Sequence, residues 1–432
     1  MAIEQLGYHT DYLFNIVAKD KINLMINTIN SGIPVNSIVV VSEPEHLSGA
    51  LDSTKVYIID GVVDFTGSGI SVEVPETGIQ FLGYGFNTSK IKCTDDNFTL
   101  FTSPVGGSGD ILVDQLAIEV SGLNSKVFDI VDSNGLHAIE MNTVNYDNCT
   151  SLGIVDSYRQ GLETGTGRFG GTPTLELAGA WLGGFRITTS IVRSLDAGMT
   201  TPLFKAGTGF VIQSRFLTDL NADLPTNSFL ADFTESNFPN PSTLQINGAI
   251  LSSNGVVSID NNFLPNISSS SLSAYFRNNI GLENTYIGAK SSVSGELLTT
   301  INTQNVYETL LATWTVSELS HFDSPSSGVL RHLGDTPINF QLVADFTISG
   351  FANEVVEIDL VKHDFSTSTD IDIEHQKRQI NNLVGNKDVG FFSFVVNFTL
   401  QQGDYIYFNV ANESSDRDVT LLEDSYMFIS ER

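Results

Sequence analysis

The chain is poor in cysteine, in basic residues and in long apolar runs, and each scarcity removes a class of protein. Cys93 and Cys149 are the only cysteines among 432 residues, too few for a disulfide scaffold and too far apart for a metal knuckle, so both are expected as buried thiols. Lys and Arg total 21 against 50 Asp and Glu, a formal charge of -29, which repels phosphate backbones and anionic lipid and argues against a nucleic-acid partner. No run approaches the ~18 apolar residues of a membrane span, and Met1–Gln5 lacks the basic start of a secretory leader. No membrane insertion and no signal peptide are therefore expected, and the N-x-S/T triplets opened by Asn87, Asn97, Asn148, Asn266, Asn397 and Asn412 read as chance products of the composition. No G-x-S-x-G, no phosphate-binding loop and no metal spacing among His321, His332, His363 and His375 occurs, so neither a cofactor nor a metal is expected. Gly165–Gly170 fits the letters G-x-G-x-x-G but falls in an expected loop.

What is present is a hydrophobic fraction of 41%, which excludes disorder, with only 16% of residues charged. The surface must then be rich in Ser, Thr, Asn, Gly and rings, a mixture suited to neutral or sugar-like partners, while the net charge also keeps a large assembly from self-associating. Leu13, Ile16, Val17, Ile22, Met25, Ile26 and Ile29 recur near a helical period, and Gly32 and Pro34 end it, predicting one amphipathic helix in a segment 1–35. From 36 to 300 short β-branched runs such as Val56–Ile59, Ile79–Leu82, Ile111–Val113, Ala138–Met141 and Val256–Ile259 are each closed by Gly, Asn or Asp. Their recurrence every ~20 to 35 residues without intervening helices predicts an all-β body of stacked parallel coils, with a sandwich or barrel as the alternative. The loops 159–174 and 197–209 would stand out from the coils, where binding normally sits.

Residues 301–432 read as a third segment, an antiparallel jelly roll. Its strongest feature is the alternation Phe392, Phe394, Val396, Phe398, Leu400, followed by the turn Gln401–Asp404 and by Ile406, Phe408, Val410, which predicts a half-buried hairpin.

Val56-Tyr57-Ile58-Ile59-Asp60-Gly61 and Ile79-Gln80-Phe81-Leu82-Gly83-Tyr84-Gly85 resemble the coils of the pectate-lyase-like right-handed β-helix. Phe276–Thr285 looks like the end of many bacteriophage spike bodies. Leu400-Gln401-Gln402-Gly403-Asp404-Tyr405-Ile406 is similar to a turn of the tumour-necrosis-factor-like and complement-C1q-like jelly rolls. The order helix, β-helix, jelly roll resembles phage tail spikes and receptor-binding fibres. That resemblance implies a homotrimer, assembled in the host cytoplasm and attached to other virion proteins through its N-terminal region. It also implies recognition of a bacterial surface polysaccharide or receptor. A head fibre or decoration protein without ligand would look the same.

Related spikes often cut glycans with paired carboxylates, and Asp110 with Asp114 and Asp219 with Asp223 are the catalytic candidates here. Asp60 with Asp64 and Asp129 with Asp132 are further pairs at strand spacing, and Asp219, Asp223, Asp232 and Glu235 lie near a variable loop. In so acidic a chain each pair also reads as solvated turn residues. A lyase would want cations, and Arg159, Arg168, Arg186, Arg193 and Arg215 cluster in the mid-body, although they also read as counters to neighbouring acids. The ligand-binding candidates are Trp181, Phe185, Tyr158 and Arg168, with Phe169 beside them; for Trp181 core packing is the competing reading, and Trp314 reads as core of the jelly roll. Asp370, Asp372 and Glu374 read as one solvated face, and Tyr405 and Tyr407 are expected at the trimer interface. Binding without cleavage is the preferred expectation, and a depolymerase is the alternative.

Overall fold

The computed structural model describes residues 37–165, 168–259, 262–269, 271–334, 337–384 and 387–432, so the expected helix within 1–35 lies outside the described residues. Two compact units account for the rest, divided between Asn284 and Thr285 rather than near residue 300, with residues 269–272 belonging to the second.

The first unit is a parallel β-solenoid. One face is a ten-stranded sheet from Ile38–Val41 to Ala274–Arg277, to which each coil adds a strand in parallel register. A six-stranded sheet runs from Val72–Glu73 to Phe204–Ala206, and a five-stranded one from Val62–Asp64 to Phe169–Gly171. Later coils replace the last with a three-stranded sheet through Ile191–Val192, Asn221–Leu224 and Ile250–Ser253. The short runs of the sequence form these strands because inward residues stack on their equivalents one coil away. Tyr57 stacks so on Phe81 and Phe101 on Phe128, and Phe81 meets Phe101 across the interior between the two sheets, at 5.6–5.8 Å between centroids, all buried.

Corners recur after the ten-stranded face. Gln115, Thr143 and Thr189 take φ of 58°, 55° and 57° there, and Gly165 takes 68°. Each of the first two donates its N–H to the next coil, Gln115 to the Asn142 carbonyl at 2.9 Å and Thr143 to that of Thr164 at 2.7 Å, so the left-handed turn is held by the ladder it extends. The expected strand Val256–Ile259 is instead an exposed turn region bearing one isolated bridge.

The second unit is an antiparallel jelly roll. One sheet orders Leu298–Thr299, Val419–Leu421, Ile338–Gly350, Tyr426–Glu431, Gly288–Glu296 and Ala312–Ser320, with Lys387–Leu400 also paired to Ile338–Gly350. The other orders Phe322–Asp323, Leu330–His332, Tyr405–Asn412, Val355–Asp364 and Thr369–Gln379. The alternation in 392–410 is present as read, with Phe392, Phe394, Ile406, Phe408 and Val410 buried. The expected hairpin is not: Lys387–Leu400 pairs with Ile338–Gly350, while Tyr405–Asn412 pairs with Val355–Asp364. Gln401–Asp404 therefore crosses from one sheet to the other. Period-two patterning places a strand between core and solvent but does not choose its partner.

Candidate functional site

A concavity of about 660 Å³ opens on the six-stranded face of the solenoid, a size within the range of ligand sites. Its floor is the strands beginning at Lys126, Gly153, Leu175 and Phe204, and its wall is Gly198–Pro202, inside the loop expected to stand out. Parallel register aligns Asp129, Ile154, Glu176 and Lys205 in one outward row. Asp232 extends it, since Ala231 bridges Phe204. Lys205 Nζ lies 2.6 Å from Glu176 Oε2, and this hydrogen bond raises the pKa of the ammonium. Asp232 Oδ1 accepts the Ala206 N–H at 2.6 Å, and Lys126 reaches Asp129 at 2.7 Å.

The hydroxyls are equally ordered. Thr172 donates to the Thr150 carbonyl at 2.6 Å, and Thr174 Oγ1 meets Thr201 Oγ1 at 2.7 Å and the Pro202 carbonyl at 2.8 Å. Met199 is buried under the wall and fixes it to the core. Thr150, Thr172, Thr174, Thr200 and Thr201 thus line a site of hydroxyls around a compensated charge row, suited to hydrogen-bonding a polyhydroxylated ligand. Sequence reasoning had marked the 197–209 loop and Asp232, but not Glu176 or Lys205, whose adjacency exists only through inter-coil register.

The carboxylate candidates do not converge. Asp110 precedes the strand Ile111–Asp114 and Asp114 ends it, about 13 Å apart along an extended chain, beyond either glycosidase spacing. Asp110 accepts the Ala138 N–H at 2.7 Å, and Asp114 accepts from Asn142 Nδ2 at 2.9 Å, with burial raising the pKa of the latter. Asp219 follows Arg215–Thr218 on the ten-stranded face, whereas Asp223 lies in the three-stranded sheet. Asp219 accepts the Thr189 N–H at 2.6 Å, and Asp223 takes Ser252 Oγ and the Gly255 N–H, each at 2.7 Å. All four tie one coil to another.

The ring candidates are core. Trp181 is wholly buried, its indole donating to the Ala178 carbonyl at 2.9 Å, and packs on Tyr158 and edge-on to Phe185. Phe185 stacks on Phe216, and the Tyr158 hydroxyl sits 2.7 Å from Ser108 Oγ, with burial pushing its pKa up. None presents a face to a ligand, because solenoid interiors are filled by such rings. Arg168 is 3.3 Å from Asp147, a counter-ion.

In the jelly roll, Tyr405 and Tyr407 are half-buried on an outward face. His363 stacks on Tyr405 with centroids 4.4 Å apart and holds Asp370 at 2.7 Å. Burial and Asp370 push the Tyr407 phenol up to about 12. Asp370 and Asp372 stand opposite His363 and Val361, but the register slips beside Leu360, which opposes Glu374. The expected single row of three carboxylates is therefore broken by a bulge. Among the described residues no three His, Cys, Asp or Glu are arranged to hold a metal ion.

The fold defines this chain as a parallel β-solenoid with a jelly roll. No protein-family model matches it, and no curated protein does. Among solved structures, murine APRIL at pH 5.0 is similar over 34% of this chain and 99% of its own, at 8% identity and a TM-score of 0.26. Eiger TNF from S. frugiperda is similar over 34% of this chain and 92% of its own, at 10% identity and a TM-score of 0.27.

Proposed function

We propose that the chain is a bacteriophage virion appendage, a tail spike or receptor-binding fibre, that attaches to a bacterial surface glycan. The observation that carries this reading is the open groove in which threonine hydroxyls and the Lys205–Glu176 pair form a hydrogen-bonding surface on rigid stacked strands. The charge of -29 supports it, because it disfavours nucleic acid and lipid while leaving neutral polyols unaffected. In this reading the protein is a homotrimer held partly by the Tyr405 and Tyr407 face, and residues 1–35 attach it to other virion proteins.

A depolymerase is the second reading. Glu176 and Asp232 sit two strands apart in one row, about 9.6 Å at the backbone, near the carboxyl separation of inverting hydrolases. Incubation with surface polysaccharide of the host, recording retained protein and glycan length together, separates the cases. Retention with intact chains supports the adhesin. Shortening that disappears in Glu176→Gln supports the depolymerase, and neither effect would overturn both in favour of a structural fibre.

A further inference from the structure

We propose that a second site, a notch floored by Gly183 and Gly184 on the ten-stranded face, binds an oxyanion: the carboxylate or phosphate substituent of a polysaccharide. It extends the glycan reading to another face of the solenoid, and its test does not depend on the groove.

Several cations of the solenoid are countered. Lys90 lies 3.0 Å from both Glu119 and Asp147, Lys126 2.7 Å from Asp129, Lys205 2.6 Å from Glu176 and Arg168 3.3 Å from Asp147. Among the described residues Arg159, Arg186 and Arg215 have no such carboxylate, although 50 acidic residues are present to provide one, and of the three Arg186 and Arg215 border one notch. Both are exposed.

Register brings these two together. Arg186 stands opposite Leu217, and Arg215 lies two residues before Leu217 on the same strand, so the arginines are diagonal neighbours about 8 Å apart at the backbone. Between Gln160 and the next coil the row has a gap at Gly184, whose φ is 93° and whose added Cβ would meet the Arg215 carbonyl oxygen at 2.4 Å. The position has to remain glycine, and beside it lies a notch of about 210 Å³ bordered by both arginines. Glu140 is the acidic residue in its lining, but it lies two strands from Arg186, about 10 Å at the backbone, with Leu162 between them.

Two uncountered guanidiniums repel each other, and an oxyanion between them relieves that repulsion while matching their planar forks. The negative field of the whole chain decays over ~8 Å at physiological ionic strength, so a ligand in the notch feels the arginines first.

The test is affinity electrophoresis of the full chain through gels carrying alginate, poly(glycerol phosphate) or neutral dextran. Retardation is expected in one or both polyanions and not in dextran, and the two polyanions tell carboxylate from phosphodiester. The Arg186→Gln/Arg215→Gln variant should bind at least tenfold more weakly, with an unchanged melting curve. Arg186→Lys, which keeps charge and loses the fork, should fall between. Arg168→Gln, which removes a countered charge, should bind as the parent does. No retardation of the parent in either polyanion, or equal retardation of the double variant, overturns the proposal.

Discussion

Asp404 is buried at the head of Tyr405–Asn412, where its carboxylate lies 2.8 Å from Lys362 Nζ and accepts N–H groups from Phe365 at 3.0 Å and Gln401 at 2.9 Å. Lys362 also donates to the Thr399 carbonyl at 3.0 Å, so the ion pair locks the turn that crosses between the sheets. Asp404→Ala leaves that ammonium without its counter-ion and should cost about 3–5 kcal/mol in urea unfolding; a loss below ~1 kcal/mol would contradict a structural pair. The turn motif was legible in the sequence, but Lys362 was not, because the pairing depends on sheet register across distant residues. The rings of the mid-body show the converse. Gly-rich loops beside Trp181 and Phe185 read as a ligand surface, whereas the glycine at 161 is there because an added Cβ would lie 2.2 Å from the Phe185 ring. Residue type identified the aromatics, and only packing separates a core ring from a binding ring.

Strands were legible where the buried face is strongly apolar in sequence, as in 392–410, and their partners were not. Asp359 shows what the pairing creates. It lies on Val355–Asp364, buried and opposite His375, and burial, then the neighbouring Asp372, push its carboxyl from the ordinary 3.8 to about 6. A carboxyl whose folded pKa is raised binds its proton more tightly folded than unfolded. Its contribution to stability therefore grows as pH falls from about 6 toward 3.8 and is absent above that window. Asp364 acts oppositely: hydrogen bonds from Ser366 and Thr367 hold its carboxyl low, so the stability it adds is lost in acid. Comparing Asp359→Asn with the parent isolates the first effect. The variant should melt higher at pH 8, and the gap should close by about pH 4; a variant that melts lower at pH 8 would contradict the assignment.

At the scale of the molecule, recurrence of short apolar runs was enough to read a β-solenoid, because each coil repeats the same burial problem. The division after Asn284 was harder to see, since Gly288–Glu296 alternates weakly and becomes a strand only by pairing with Ala312–Ser320 and Tyr426–Glu431. For the assembly, native mass is expected at three times the 46.9 kDa chain, and Tyr407→Asp should reduce it. A full trimer in that variant would remove Tyr407 from the interface.

Glycan recognition in the threonine groove is the central claim, and Gly198 offers a direct way to block it. This glycine lines the groove, and a Cβ added there meets nothing within 4 Å. Gly198→Trp should fill the concavity while leaving the melting curve unchanged. The decisive measurement is retention of parent and Gly198→Trp on immobilised surface polysaccharide from the host. Strong retention of the parent and at least a tenfold loss in the variant is the predicted result, and equal retention of the two would contradict it.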